Sequence, residues 1–197
     1  MKILAISDEI AKEYYDYYQP GMLDDIDLII SCGDLPREYL EFLVTMGKAP
    51  LLYVHGNHDA SYLEHPPRGC ICIEDRIFEY GGLRFLGLGG SYRYLPDGKF
   101  MYTESEMRRR IMKVWYGIRR RKGFDVLVSH APAYGCGDLD SPTHRGFHCF
   151  HYLLDRYKPA YMIHGHVHKT YNYQLPVRSK YKDTTIVNAF GKQLLTV

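Results

Sequence analysis

At 197 residues and a formal charge of +2, the chain is long enough to bury a hydrophobic core without disulfides or a partner, and too nearly neutral to coat nucleic acid by bulk charge. Hydrophobic residues at 46% and charged residues at 24% are ordinary globular values and exclude a disordered or fibrous chain. No apolar run reaches the roughly 20 residues of a membrane span, the start is unlike a signal peptide, and the cysteines include no C-x-x-C pair. The expectation is a single cytoplasmic domain over residues 1–197, with Cys32, Cys70, Cys72, Cys136 and Cys149 reduced.

Lys2 to Ile6 is a short aliphatic run that stops at Ser7-Asp8, the pattern of a buried strand delivering a polar residue at its carboxyl end. A helical stretch is expected around Ala11 to Tyr18, closed by Pro20-Gly21. Ile26 to Cys32 then repeats the strand pattern and ends in Gly33-Asp34. Pro36 opens a helix that Gly47 closes. Pro50 to His55 is a third strand, followed by Gly56-Asn57-His58-Asp59. Strands separated by helical connections form a parallel sheet, and ligands of such sheets gather beyond the carboxyl ends of the strands.

From Cys70 to Ser91 the short alternating runs around Gly81-Gly82 predict antiparallel hairpins and the start of a second sheet. Thr103 and Glu106 form a capping box for a helix to about Lys122. Asp125 to Ser129 is a strand ending at His130, Arg145 to Lys158 a helix, and Ala160 to His164 a strand delivering Gly165-His166-Val167-His168. Thr184 to Val187 and Gln193 to Thr196 read as closing strands.

Asp8, Asp34, Asn57, His130, His166 and His168 therefore all follow strand ends. Carboxylate, amide oxygen and imidazole without thiolate suit Mn, Fe or Zn ions rather than a structural thiolate zinc site. The ordered set Asp8, Gly33-Asp34, Gly56-Asn57-His58-Asp59, Ser129-His130 and Gly165-His166-Val167-His168 resembles the calcineurin-like metallophosphoesterases over residues 1 to about 170. The resemblance implies a four-layer α/β/β/α sandwich of two mixed sheets flanked by helices, with one or two divalent metal ions at one edge. By position, Asp34 would bridge the metals, Asp8 and His168 would hold one, and Asn57, His130 and His166 the other. The implied reaction is hydrolysis of a phosphate mono- or diester by a metal-bound hydroxide, with His58 assisting the leaving group.

One element of that pattern is broken. The family carries D-x-H at its first motif, and here the position two after Asp8 is Ile10, which cannot bind a metal. The site that holds Asp8 and His168 is therefore expected to be the weaker one. Arg37 stands either as a donor to a substrate phosphate or as a surface arginine at a helix start. The loop Tyr134 to Arg145, with Asp138, Asp140 and His144, is a substrate wall or the source of the missing ligand. Arg108-Arg109-Arg110 and Arg119 to Lys122 read as a solvated helix face, which keeps a nuclease in view without favouring it. A catalytically idle metal-binding interaction scaffold of the same fold is the other alternative.

Overall fold

The structure is a computed structural model describing residues 1–168 and 176–197. β1 (Lys2–Ser7), β2 (Leu28–Ser31), β3 (Leu51–Tyr53) and β4 (Ile71–Cys72) run parallel, and the last strand, β13 (Gly191–Thr196), closes the sheet antiparallel to β1, in the order β13-β1-β2-β3-β4. The second sheet has the order β11-β12-β10-β9-β6-β5, with β5 (Arg76–Tyr80), β6 (Leu83–Leu88), β9 (Val126–Ser129), β10 (Tyr161–His164), β11 (Arg178–Tyr181) and β12 (Thr184–Asn188). Its inner strands β6, β9, β10 and β12 are parallel, and hairpins add the antiparallel edges β5 and β11. A small pair, β7 (Ser91–Tyr92) with β8 (Met101–Tyr102), precedes the long helix α2 (Glu104–Arg120).

Alternation along the strands explains the layering. Ile3, Ala5, Leu28, Ile30, Leu52 and Val54 of the first sheet pack against Phe85, Val126, Val128, Ile163 and Val187 of the second. The residues between them face outward: Leu4, Ile6, Ile29 and Leu51 meet α1 (Arg37–Met46) through Tyr39, Leu40 and Leu43. Leu127, Met162 and Ile186 meet α2 and α3 (Cys149–Tyr157). Because each sheet is covered on both faces, inner strands such as β1, β2 and β9 are almost continuously apolar. The result is the expected sandwich of α1, sheet, sheet, then α2 with α3. Every parallel strand of both sheets ends on the same edge.

Several elements differ from expectation. Residues 11–18 hold only a 3-10 turn, Lys12–Tyr14, because their rings are used against α1: Tyr15 packs edge-on to Tyr39 and Phe42 at 5.4 and 5.0 Å, and Tyr18 to Phe42. Aromatic residues carry modest helix propensity, and tertiary packing overrides it. Ile71–Cys72 is not a hairpin arm but the edge strand β4 of the first sheet. The hairpin at Gly81-Gly82 is present, both glycines having positive φ (57° and 80°) as a two-residue type I′ turn demands. The capping box at Thr103 and Glu106 forms as read, and α3 starts only at Cys149. None of the cysteines is in a disulfide, and among the described residues no helix is long and apolar enough to cross a membrane.

Arg110 departs from the solvated-face reading. It is 6% exposed, donates to Asp75 at 2.8 Å and to the Gly89 carbonyl at 2.7 Å, pairs with Glu74, and lies 4.2 Å over the Tyr102 ring. Glu74 in turn accepts the Gly89 N–H and the His55 N–H, at 2.9 and 3.0 Å. This network joins the ends of β3 and β6 to α2 at the edge where the polar residues collect.

Candidate metal centre

β1 ends at Ser7 and Asp8 turns at once out of the strand with φ 64°; Asp34 after β2 and His166 after β10 do the same, at 57° and 66°. A left-handed backbone costs a non-glycine residue about 1–2 kcal/mol, and such strain concentrates where side-chain direction is functional. Two neighbouring glycines serve close approach instead. A Cβ on Gly56 would collide with the Asp34 carboxylate, and one on Gly165 with the Ser7 hydroxyl and the Asp8 carboxylate.

The strand ends bring the predicted residues together in two groups. In the first, His130 Nε2 lies 3.1 Å from Asn57 Oδ1 and 3.3 Å from Asp34 Oδ2. His166 joins them: ligand atoms of Asp34, His130 and His166 all lie within 4.8 Å of one another. In the second, His168 Nε2 lies 3.3 Å from Asp8 Oδ1. His130 and His166 are buried, as is the Asp8 side chain, while His58 is exposed at the rim with its backbone N–H donating to Asp34 Oδ1 at 2.7 Å. Asp59 Oδ2 accepts the backbone N–H groups of Asp34 and Gly56, at 2.9 and 2.7 Å, which fixes the loop.

Backbone carbonyls decide which imidazole nitrogen faces the cluster. His130 Nδ1 is 2.7 Å from the Cys32 carbonyl, which only accepts, so Nδ1 carries a proton; Nε2 faces the acceptor oxygens of Asp34 and Asn57 and, without an ion, donates to them. His166 is reversed: Nε2–H donates to the Thr143 carbonyl at 2.7 Å, leaving Nδ1. The Asn57 amide is oriented too, its Nδ2 donating to the Tyr94 hydroxyl at 3.2 Å so that Oδ1 faces the cluster. These are the partners that hold metal-binding side chains in place. Donors around a zinc-sized ion stand roughly 3 to 4 Å apart, so a small contraction seats a cation among Asp34, His130 and His166. Cys32 is buried with its thiol donating to the Ile163 carbonyl at 3.6 Å and adds no thiolate.

The electrostatics also favour a cation. Burial alone would lower His130, but the Asp34 carboxylate, and then Asp8, outweigh it and push it up to about 9. Burial likewise opposes ionisation of Asp34, yet His130 holds it down to about 2. Asp8 is held below the ordinary carboxylate value, His168 and His130 overcoming its burial. His166 is driven down to about 3 by burial and by His130. The buried carboxylates thus hold a proton on His130 where a divalent ion would serve the same charges.

Two cavities meet at Asp34 and His58. One, of about 460 Å³, is lined by both aspartates, Asn57, His166, His168, Tyr94, Thr143 and His144. The other, of about 510 Å³, extends from Asp34 and His58 past Arg37, Ser61 and His65. Arg37 lies at this second opening with Nε donating to Glu38 at 2.8 Å. Tyr94 and the Thr143 carbonyl are partners of the cluster that sequence reasoning misses, because neither a loop tyrosine nor a backbone oxygen carries a pattern. Ile10 is partly buried against the apolar layer between the first sheet and α1.

A family model described as calcineurin-like phosphoesterase matches residues 1–170. An uncharacterized protein of Methanocaldococcus jannaschii is 24% identical over 189 residues, covering 86% of this chain and 81% of its own length. A UPF0046 protein of Caenorhabditis elegans is 23% identical over 189 residues, and the chain spans 63% of that longer relative. The crystal structure of TT1561 from Thermus thermophilus superposes with a TM-score of 0.59 at 14% identity, over 96% of this chain and 88% of that one, a likeness of fold alone.

Proposed function

From the premise that the chain belongs to the calcineurin-like phosphoesterase family, we propose that it hydrolyses a phosphate mono- or diester at a dinuclear centre of Mn, Fe or Zn ions. The observation that carries the reading is the meeting of Asp8, Asp34, Asn57, His130, His166 and His168 at one sheet edge, with exposed His58 beside them at the mouth of an open cleft. Asn57, His130 and His166 would hold one ion, Asp8 and His168 the other, and Asp34 both. Divalent ions there would lower the pKa of a water molecule and neutralise the phosphoryl oxygens.

The chain's own residues supply the rest. The Thr143 carbonyl leaves His166 Nδ1 with its lone pair, and the Cys32 carbonyl holds His130 by Nδ1 so that Nε2 would meet an ion once its proton leaves. His58 lines both cavities with its backbone N–H on Asp34 Oδ1, and its ring would give a proton to the leaving alkoxide. Arg37 lines the second cavity together with His58 and would meet a further substituent of the phosphate there. A cleft that the described residues leave open suits a substrate whose leaving group projects into solvent.

The test is turnover of aryl phosphate mono- and diesters with Mn²⁺. His58→Ala is expected to lose about 10²- to 10⁴-fold in kcat, the usual worth of a positioned acid, while metal affinity is kept. Equal turnover by wild type and variant would remove the proton-donor role. No turnover with any divalent ion would favour a binding scaffold, the second reading, which an isoleucine at position 10 in place of a ligand supports.

A further inference from the structure

The two donor groups are unequal. Asn57, His130 and His166 surround Asp34 on one side, whereas Asp8 and His168 have only Asp34 to share on the other. Ions bound by oxygen and imidazole take four or more ligands, so the Asp8 side is short of protein donors. The wall of the cavity on that side is the loop between β9 and α3. This loop is held in shape: the Asp138 carboxylate accepts the Gly135 and Gly146 N–H groups at 2.7 and 3.1 Å, and Ala133 bridges to Phe147. It is also tied to the cluster, since the Thr143 carbonyl accepts the His166 Nε2–H.

The residue after Thr143 is His144. It lines the cavity with Asp8, Asp34, His166 and His168, and its ring centroid is 5.4 Å from that of His166. The hydroxyls of Ser141 and Thr143 stand 3.0 and 2.9 Å from its Nδ1, orienting the ring from behind as hydrogen bonds do for ligating imidazoles.

We infer that His144 completes the divalent-ion site of Asp8, His168 and Asp34 by binding the ion through Nε2, a ligand contributed by a loop rather than by a strand end. The inference rests on the metal-centre reading above and deepens it. Among the described residues, the donors already gathered within 4.8 Å are those of Asp34, His130 and His166. His144 stands outside that preformed group, which makes its site the second to fill.

The experiment is calorimetric titration of chelator-treated full chain with Mn²⁺, together with pulsed electron paramagnetic resonance that counts nitrogen ligands on the second ion. Wild type is expected to bind two ions in separable events, the second with nitrogen couplings from two imidazoles. His144→Ala should weaken the second event at least ten-fold, remove one nitrogen coupling and leave the first event unchanged. His144→Asp, which keeps a donor, should fall between them. A second event of equal strength in wild type and His144→Ala, or a wild type that takes up one ion only, would overturn the role of His144 while leaving the tight site standing. Failure of wild type to bind any ion would overturn the metal-centre reading as well. Equal melting temperatures of the metal-free proteins establish that the variants are folded.

Discussion

His130 shows how a single side chain couples the site to pH. Its folded pKa of about 9 lies above the ordinary 6.5, because Asp34 and Asp8 outweigh its burial. The stabilisation of the metal-free protein by this protonated imidazole is therefore complete below pH 6.5 and lost as pH rises through 9. A metal ion needs the lone pair on Nε2 and must displace that proton. Binding at the tight site should accordingly release about one proton per ion at pH 7 and strengthen roughly ten-fold per pH unit between about 6.5 and 8.5. Calorimetry in buffers of different ionisation enthalpy measures this, and a pH-independent affinity would refute it. The donors are legible in the sequence because a lone carboxylate, amide or imidazole after an apolar run marks a strand tip. Their orienting partners are not: the Cys32 and Thr143 carbonyls belong to every residue type, and the left-handed turn at Asp8, Asp34 and His166 has no composition of its own.

Strands are readable where both faces are covered and the run is continuously apolar, as in β1, β2 and β9. Edges are harder. β11, RSKY, is exposed and polar and carries no strand pattern, and the two-residue β4 takes its place from the register with β3 rather than from its own residues. On α2 the run of arginines is uniform in sequence, but helical geometry turns Arg110 inward to the side of Met107, Ile111 and Val114 while Arg108 faces solvent. Sequence charge cannot reveal this, since the acids that receive Arg110, Glu74 and Asp75, lie on a separate segment. Removing one partner of a buried ion network strands the others without compensation. Arg110→Met is expected to cost about 3–5 kcal/mol in chemical denaturation and to loosen the loop that carries His58, because Glu74 also holds His55. A loss below about 1 kcal/mol, the scale of exposed pairs, would show that the network adds nothing beyond surface pairing.

Across the whole molecule, the cluster is a seam between the two sheets. Asp8, Asp34 and Asn57 arrive from β1, β2 and β3 of one sheet, His130, His166 and His168 from β9 and β10 of the other. Between the sheets lies an apolar layer that is non-directional and would tolerate small sliding; the edge cluster is where their relative position is set by specific atoms. An ion bound there touches side chains of both sheets at once and has no preformed counterpart in the unfolded chain, so its binding energy becomes folding energy. At a free metal concentration of about 100 times the dissociation constant the gain is about 2.7 kcal/mol, which for a chain of this size raises the melting temperature by roughly 5–11 °C. Scanning calorimetry with Mn²⁺ against chelator should show that rise in wild type, and His130→Ala, which removes a donor that the second sheet gives to the tight site, should lose most of it. If instead the variant gained as much from metal as wild type, the ions would be binding elsewhere on the protein, and the seam would not be what couples the two sheets.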